Sequence, residues 1–255
     1  MAAHRGGPWW RVTRPGAGAG IKVSVLTLYP LSLLLFERQW RNIERIPSSG
    51  PAIVVMNHVS VVDPVLMATF LWDTGRVPRF MIKSDLFSKP FVGWVFRTAE
   101  QIPVARGSGE ARAAVEAAHQ ALAGGELIAI YPEGTTTRDP SGWPMQARTG
   151  IARMALDNPG VPVIPVGHWG LRVRAAGKGA DAPRRTRRWG RVRVTASVGE
   201  PVPLDDLRAG PITLDVLRRT TRRIMGAVRD EVAAVRGEQP PAEFYVPARN
   251  GTGTR

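Results

Sequence analysis

From residue 51 onward, short apolar runs alternate with stretches whose apolar positions recur every three or four residues. The runs 52–56 (AIVVM), 79–83 (RFMIK), 101–104 (QIPV) and 127–131 (LIAIY) are short and rich in β-branched or aromatic side chains, which predicts strands. Residues 64–72, 90–97, 110–123 and 150–156 predict helices between them. The third of these lacks Gly and Pro and stops at Gly124-Gly125. Residues 161–167 (VPVIPVG) are expected to be extended, because each Pro restricts itself and its predecessor. Residues 191–198 alternate as RVRVTASV, the pattern of a half-exposed strand. Leu214, Leu217, Ile224 and Val228 mark one face of a helix over roughly 212–235. Strands interleaved with helices predict an α/β fold, a mostly parallel sheet flanked by helices.

The two ends read differently. Residues 23–36 (VSVLTLYPLSLLLF) form an apolar run interrupted by Pro30. As a helix it measures about 21 Å, against roughly 30 Å for a hydrocarbon core. The expectation is a membrane-associating helical segment that packs on the domain or lies in the bilayer interface rather than spanning it. Trp10, Arg11, Arg14, Arg38, Trp40 and Arg41 flank it and are residue types that settle at headgroup level. The organisation expected is a mobile tail at 1–20, the apolar and amphipathic segment at 21–46, the α/β domain at 47–236, and a mobile Pro-rich tail at 237–255.

Composition adds two constraints. Lys and Arg number 35 against 21 Asp and Glu, a formal net charge of +14, which suits an anionic partner. Nucleic acid, an anionic membrane surface and phosphorylated substrates all satisfy that. There is no cysteine, so a thiolate nucleophile and a disulfide framework are both excluded. No helix-turn-helix, zinc-finger or RNP-type signature accompanies the charge, so a nucleic-acid partner is not expected. The cluster Arg184, Arg185, Arg187, Arg188, Arg191 and Arg193 is as well explained by solvent as by anionic headgroups or coenzyme A phosphates.

The first strand runs into Asn57-His58-Val59-Ser60-Val61-Val62-Asp63-Pro64. A carboxylate five residues after a His can meet it if the segment turns into a helix. It would then hold the Nδ1 proton and leave Nε2 free as a base. Ser60 lacks the Gly-x-Ser-x-Gly elbow of a serine nucleophile, and with Asn57 it suits holding the loop by local hydrogen bonds. The other histidines, His4, His119 and His168, have no paired zinc spacing, so no metal is expected. Glu133, after the strand at 127–131 and before Gly134, suits a tight turn that faces a carboxylate into a cleft.

Asn-His-x-Ser-x-x-Asp at 57–63, Pro-Glu-Gly-Thr at 132–135 and Val-Pro-Val-Ile-Pro-Val at 161–166 occur in that order. With Gln101-Ile102-Pro103-Val104-Ala105-Arg106 and Lys83-Ser84-Asp85-Leu86-Phe87, this resembles the glycerolipid acyltransferase family, best known for 1-acylglycerol-3-phosphate acyltransferases. The resemblance covers roughly residues 47–170. It implies catalysis by His58 and Asp63. It further implies substrate binding by Asn57, Ser60, Lys83, Arg106, Glu133, Gly134 and Thr135, with Arg106 as the candidate grip on an acceptor phosphate. No cofactor is implied; acyl-CoA or acyl carrier protein is the co-substrate, and lysophosphatidic acid or a related glycerolipid is the acceptor. The location implied is the cytoplasmic face of the cell membrane, bound peripherally. In two places this chain departs from the pattern. The Glu-Gly-Thr block commonly continues with Arg, whereas Thr136 and Thr137 precede Arg138 here, and Ala105 stands where an acidic residue is frequent. Competing expectations are another acceptor such as glycerol 3-phosphate, an ester or thioester hydrolase, and a nucleic-acid-binding protein.

Overall fold

The computed structural model describes residues 12, 14, 16–105, 108–171 and 191–247, with backbone alone for 108–112. The elements in chain order are α1 (Ala19–Leu35), β1 (Phe36–Arg41), β2 (Ala52–Met56), α2 (Asp63–Asp73), β3 (Pro78–Lys83), α3 (Pro90–Thr98), β4 (Ile102–Val104), α4 (Ser108–Ala123), β5 (Leu127–Ile130), α5 (Gly150–Asp157), β6 (Val163–Trp169), β7 (Val192–Val198) and α6 (Leu214–Arg236). Seven strands form one sheet in the order β1-β7-β6-β2-β5-β3-β4. Every neighbouring pair is parallel except β6 with β7. The expected mostly parallel α/β sheet is therefore what the chain adopts.

β2 shows why its sequence is apolar throughout. Alternate residues of a strand face opposite sides of the sheet, and both sides here are covered. Ile53 and Val55 join a core with Ala118, Ile151, Met154, Ile224 and Val228 from α4, α5 and α6. Ala52, Val54 and Met56 join a second core with Leu66, Met67, Phe70 and Leu71 of α2. The strand at the middle of the sheet is thus buried along its whole length, and its end is a rigid place to mount chemistry.

Phe36–Arg41, which the sequence places with the membrane-associating segment, is an edge strand. It pairs in parallel with β7, Trp40 opposite Ala196. Trp40 is not at headgroup level. Its ring is buried edge-on to Phe70 at 5.3 Å, and its Nε1 donates to Asp73 Oδ2 at 2.7 Å. Arg38 also points inward, stacking over Tyr29 and pairing with Asp73 at 3.5 Å. Tyr29 donates to the other oxygen of Asp73, so α1, β1 and the end of α2 meet at one buried carboxylate. Burial and that carboxylate push the Tyr29 phenol up to about 12.

α1 packs one face on α2 and α3. At Gly20 the helix comes so close that a Cβ would overlap the Val95 carbonyl oxygen of α3, so only glycine fits. The opposite face leaves Leu26, Leu31, Leu34 and Leu35 exposed. Among the described residues no helix is long and apolar enough to cross a membrane.

The segment after α6 lies along the domain as far as it is described. Arg236 sits between the rings of Trp143 and Trp169, 4.1 Å from each. Arg229 donates to the carbonyls of Pro241 and Ala242 at 2.9 and 3.0 Å. Tyr245 pairs with Met145, and its carbonyl accepts from Gln146 N at 2.9 Å. Of the basic cluster, Arg184, Arg185, Arg187 and Arg188 lie outside the described residues, as do Trp10 and Arg11 of the N-terminal flank. Arg193 pairs with Glu37 at 3.2 Å.

Candidate active site

β2 delivers the chain into residues 57–62, and α2 begins at Asp63. Asp63 is fully buried, and its Oδ2 accepts from three donors: His58 Nδ1 at 3.0 Å, Val59 N at 2.6 Å and Ser60 N at 2.7 Å. Standing at a helix N-terminus, its negative charge is further favoured by the unpaired amides there. Pro64 suits this position, because the first helical turn needs no N–H from it. Because Oδ2 accepts, His58 carries its proton on Nδ1.

His58 is held from its backbone as well. Its N donates to Glu133 Oε1 at 2.9 Å, and its carbonyl accepts from Thr137 N at 2.6 Å. The turn after β5 makes both contacts. Gly134 closes it with φ of 70°, its N donating to the Tyr131 carbonyl at 3.0 Å. The Tyr131 ring stacks on the imidazole at 4.5 Å between centroids, tilted by 30°. Burial, with Asp63 adding to it, pushes the Tyr131 phenol up, which keeps it neutral.

Glu133 is nearly fully buried, and its second oxygen, Oε2, accepts from Met145 N at 3.0 Å. Burial pushes its carboxyl up to about 8, although the two amides pull in the other direction. Behind the loop, Asn57 makes a closed exchange with β6. Its Nδ2 donates to the His168 carbonyl at 3.0 Å and its Oδ1 accepts from His168 N at 2.9 Å. The His168 ring places Nε2 2.7 Å from the Asn57 carbonyl.

His58 opens onto a cavity of about 430 Å³. Tyr131, Gly134 and Lys83 line it together with His58, and Val25, Leu28, Ala68, Trp72, Phe80 and Phe96 are among its apolar walls. Lys83 is half exposed and paired with Asp85.

The structure brings His58 and Asp63 together and puts Lys83 and Gly134 on the same cavity. Three candidates take other positions. Asn57 and Ser60 are buried and off the cavity wall, so they hold the loop instead of meeting a substrate. Asn57 does so through β6 and not by local bonds; Ser60 acts locally, its Oγ accepting from Val62 N at 3.3 Å. Glu133 has a backbone amide on each oxygen and is off the cavity wall, which makes it a support for His58. Thr135 is exposed on the turn, and Arg106 lies outside the described residues. Sequence reasoning missed His168, Tyr131 and Thr137. A lone His on a strand carries no spacing signal, and the other two act through stacking and a backbone amide.

Comparisons with known proteins bear on the family and the fold. The family model for Acyltransferase matches residues 37–169, just over half of the chain. N-acylphosphatidylethanolamine synthase of Arabidopsis thaliana is 27% identical over 167 residues, 62% of this chain and 58% of that protein. Tafazzin of Drosophila melanogaster is 26% identical over 67% of this chain and 45% of its own length. A chloroplastic 1-acyl-sn-glycerol-3-phosphate acyltransferase of Arabidopsis thaliana is 24% identical over 57% of this chain and 42% of its own length. The chain thus spans about half the length of these relatives. Its fold matches the crystal structure of the 1-acyl-sn-glycerophosphate acyltransferase PlsC of Thermotoga maritima, with a TM-score of 0.60 and 24% identity over 87% of this chain and 81% of that one. On the family match, the chain belongs to the Acyltransferase family.

Proposed function

We propose that this protein transfers a fatty acyl group from acyl-CoA or acyl carrier protein to the free hydroxyl of 1-acylglycerol-3-phosphate, giving phosphatidic acid. The observation that carries this reading is a His58 ring oriented by a fully buried Asp63 at the polar end of an apolar cavity. Asp63 accepts the Nδ1 proton, so the Nε2 lone pair takes the proton of the acceptor hydroxyl as its oxygen attacks the thioester carbonyl. The new C–O bond forms, the tetrahedral intermediate collapses, and the C–S bond breaks. The imidazolium returns the proton to the leaving thiolate. Asp63 stabilises that imidazolium through the same hydrogen bond. Ser60 Oγ is buried and bonded to Val62 N, which argues for direct transfer without an acyl-enzyme. A positioned base supplies about 10² to 10⁴-fold, and holding the two substrates together supplies more.

The apolar cavity suits an acyl chain, and a lipid acceptor must reach it from a bilayer. Exposed Leu31 and Leu34 on α1, Phe91 and Trp94 on α3, and Val61 beside His58 give an apolar surface for that contact. Phe91 and Trp94 stack on each other at 6.2 Å. This supports a peripheral, one-sided membrane location on the cytoplasmic face, with the positive net charge drawing the protein to anionic lipid.

The test is purified protein with labelled acyl-CoA or acyl carrier protein and lysophosphatidic acid in anionic vesicles. Labelled phosphatidic acid is the expected product, and vesicle binding should strengthen with anionic lipid and weaken in salt. Release of free fatty acid alone would make the protein a hydrolase. Transfer only to acceptors without phosphate would remove lysophosphatidic acid from the proposal.

A further inference from the structure

Alternate residues of β6 face opposite sides of the sheet. Gly167 meets α6 so closely that a Cβ there would lie 2.3 Å from Val232 N. Ile164 and Val166 face the other way, into the core beneath α2, and His168 continues their face, fully buried. An imidazole in a core costs free energy unless its nitrogens are used. Nδ1 of His168 has no hydrogen-bond partner among the described residues, so packing alone is a poor account of this side chain.

Nε2 is used. It lies 2.7 Å from the Asn57 carbonyl, and because a carbonyl only accepts, Nε2 carries the proton. The same nitrogen is 3.7 Å from Asp63 Oδ2, the oxygen that His58 Nδ1 meets at 3.0 Å. That is too long for a hydrogen bond, yet close enough for an N–H dipole to act on a buried charge. The backbone of His168 also takes the Asn57 side chain, so one residue holds the neighbour of His58 at three points. Tyr131, just after β5, and Glu133, in the turn that follows, also feel the charge of Asp63. Neither is among the donors to its Oδ2.

We infer that His168 is a positioning residue for acyl transfer. It fixes the Asn57 carbonyl where β2 passes into the His58 loop, and its Nε2–H offsets part of the Asp63 charge that acts on His58. This role rests on the reading of His58 as general base, whatever the acceptor.

The experiment compares wild type with His168→Phe, His168→Gln and His168→Asn, using labelled acyl-CoA and lysophosphatidic acid, with thermal melting to verify folding. It reads kcat, both KM values and their pH dependence. His168→Phe keeps a ring without an N–H and should lower kcat by about 10- to 100-fold, the scale for a reacting group held out of place. Both KM values should stay within about twofold, because His168 is off the cavity wall. The acid limb of its kcat/KM profile should lie at higher pH than in wild type, since more of the Asp63 charge then favours protonated His58. Gln, whose amide nitrogen reaches the place of Nε2, should recover most of kcat; Asn, whose amide reaches only the place of Nδ1, should not. A folded His168→Phe enzyme that turns over like wild type overturns the inference and leaves the general-base reading standing. So does a lower kcat with the acid limb unmoved, which would make His168 a packing residue. If the Phe variant does not fold, equal turnover by the Gln and Asn variants overturns it. Equal turnover by wild type and His58→Ala would overturn the general-base reading and this inference together.

Discussion

The two ends of the cavity are built on opposite principles. At the His58 end, Asp63 Oδ2 receives three hydrogen bonds, Glu133 holds two amides, and Asn57 locks the loop to β6. At the α1–α2–α3 end the wall is made of Val25, Leu28, Ala68 and Phe96, whose contacts are non-directional. The first end fixes a ring to within the tolerance that proton transfer needs. The second accommodates a flexible chain and loses affinity gradually as its shape changes. Substitutions at the polar end should therefore act almost all-or-none, and those at the apolar end in proportion to volume.

The largest effect tests the polar end. His58→Ala should lower kcat by about 10² to 10⁴-fold while the protein stays folded, because the neighbouring backbone contacts survive. Asp63→Asn should follow closely, since a neutral amide no longer stabilises an imidazolium at His58 and its NH₂ would take the buried place of Oδ1, which has no hydrogen-bond partner among the described residues. Near-wild-type turnover in a folded His58→Ala protein would end the general-base mechanism.

A middle-sized effect tests the apolar end. Ala68→Phe fills part of the cavity, and its cost should grow by about fourfold for each acyl methylene displaced. A series of acyl-CoA donors should show long chains suffering most and short chains least. An equal loss at every chain length would mean that the acyl group lies elsewhere.

The smallest effect separates Glu133 from both ends. Its carboxyl sits near 8 in the fold against 4.5 ordinarily. Between those two values the unfolded chain gives up this proton before the folded chain does, so stability falls as pH rises through that window and levels off above it. Glu133→Gln removes the titration, so the difference in unfolding free energy between the two proteins should change across that window. A constant difference from pH 4.5 to 8 would show that Glu133 is not held in a protonation-sensitive state.

Much of this was legible beforehand. β2, α3 and β7 fall within a residue or two of the spans read from apolar runs and spacing, and β2 is the plainest because its continuous burial leaves a continuous apolar signature. β1 was hidden because FERQWR carries three charges beside an apolar helix, and its inward residues, half-buried Arg38 and buried Trp40, both pair with Asp73. His58 and Asp63 were legible because five residues of one loop join them. His168 was not, because only the alignment of β2 with β6 brings it near.

The clasp formed by Arg236 and Tyr245 has a consequence for the order of assembly. Met145, whose amide holds Glu133 and through it His58, is paired on its other side by Tyr245, while Trp143 is stacked by Arg236. A ribosome adds roughly 5–20 residues per second, so these partners emerge seconds after the His58 loop. Contacts so distant in sequence also close late in folding, because ordering the intervening chain costs entropy first. A nascent chain halted before α6 would have His58 and Asp63 in its sequence but no frame to aim them. On the proposed function, competence for acyl transfer is in this sense a property acquired last, and a premature stop between Gly226 and Tyr245 should yield a protein that is synthesised yet silent.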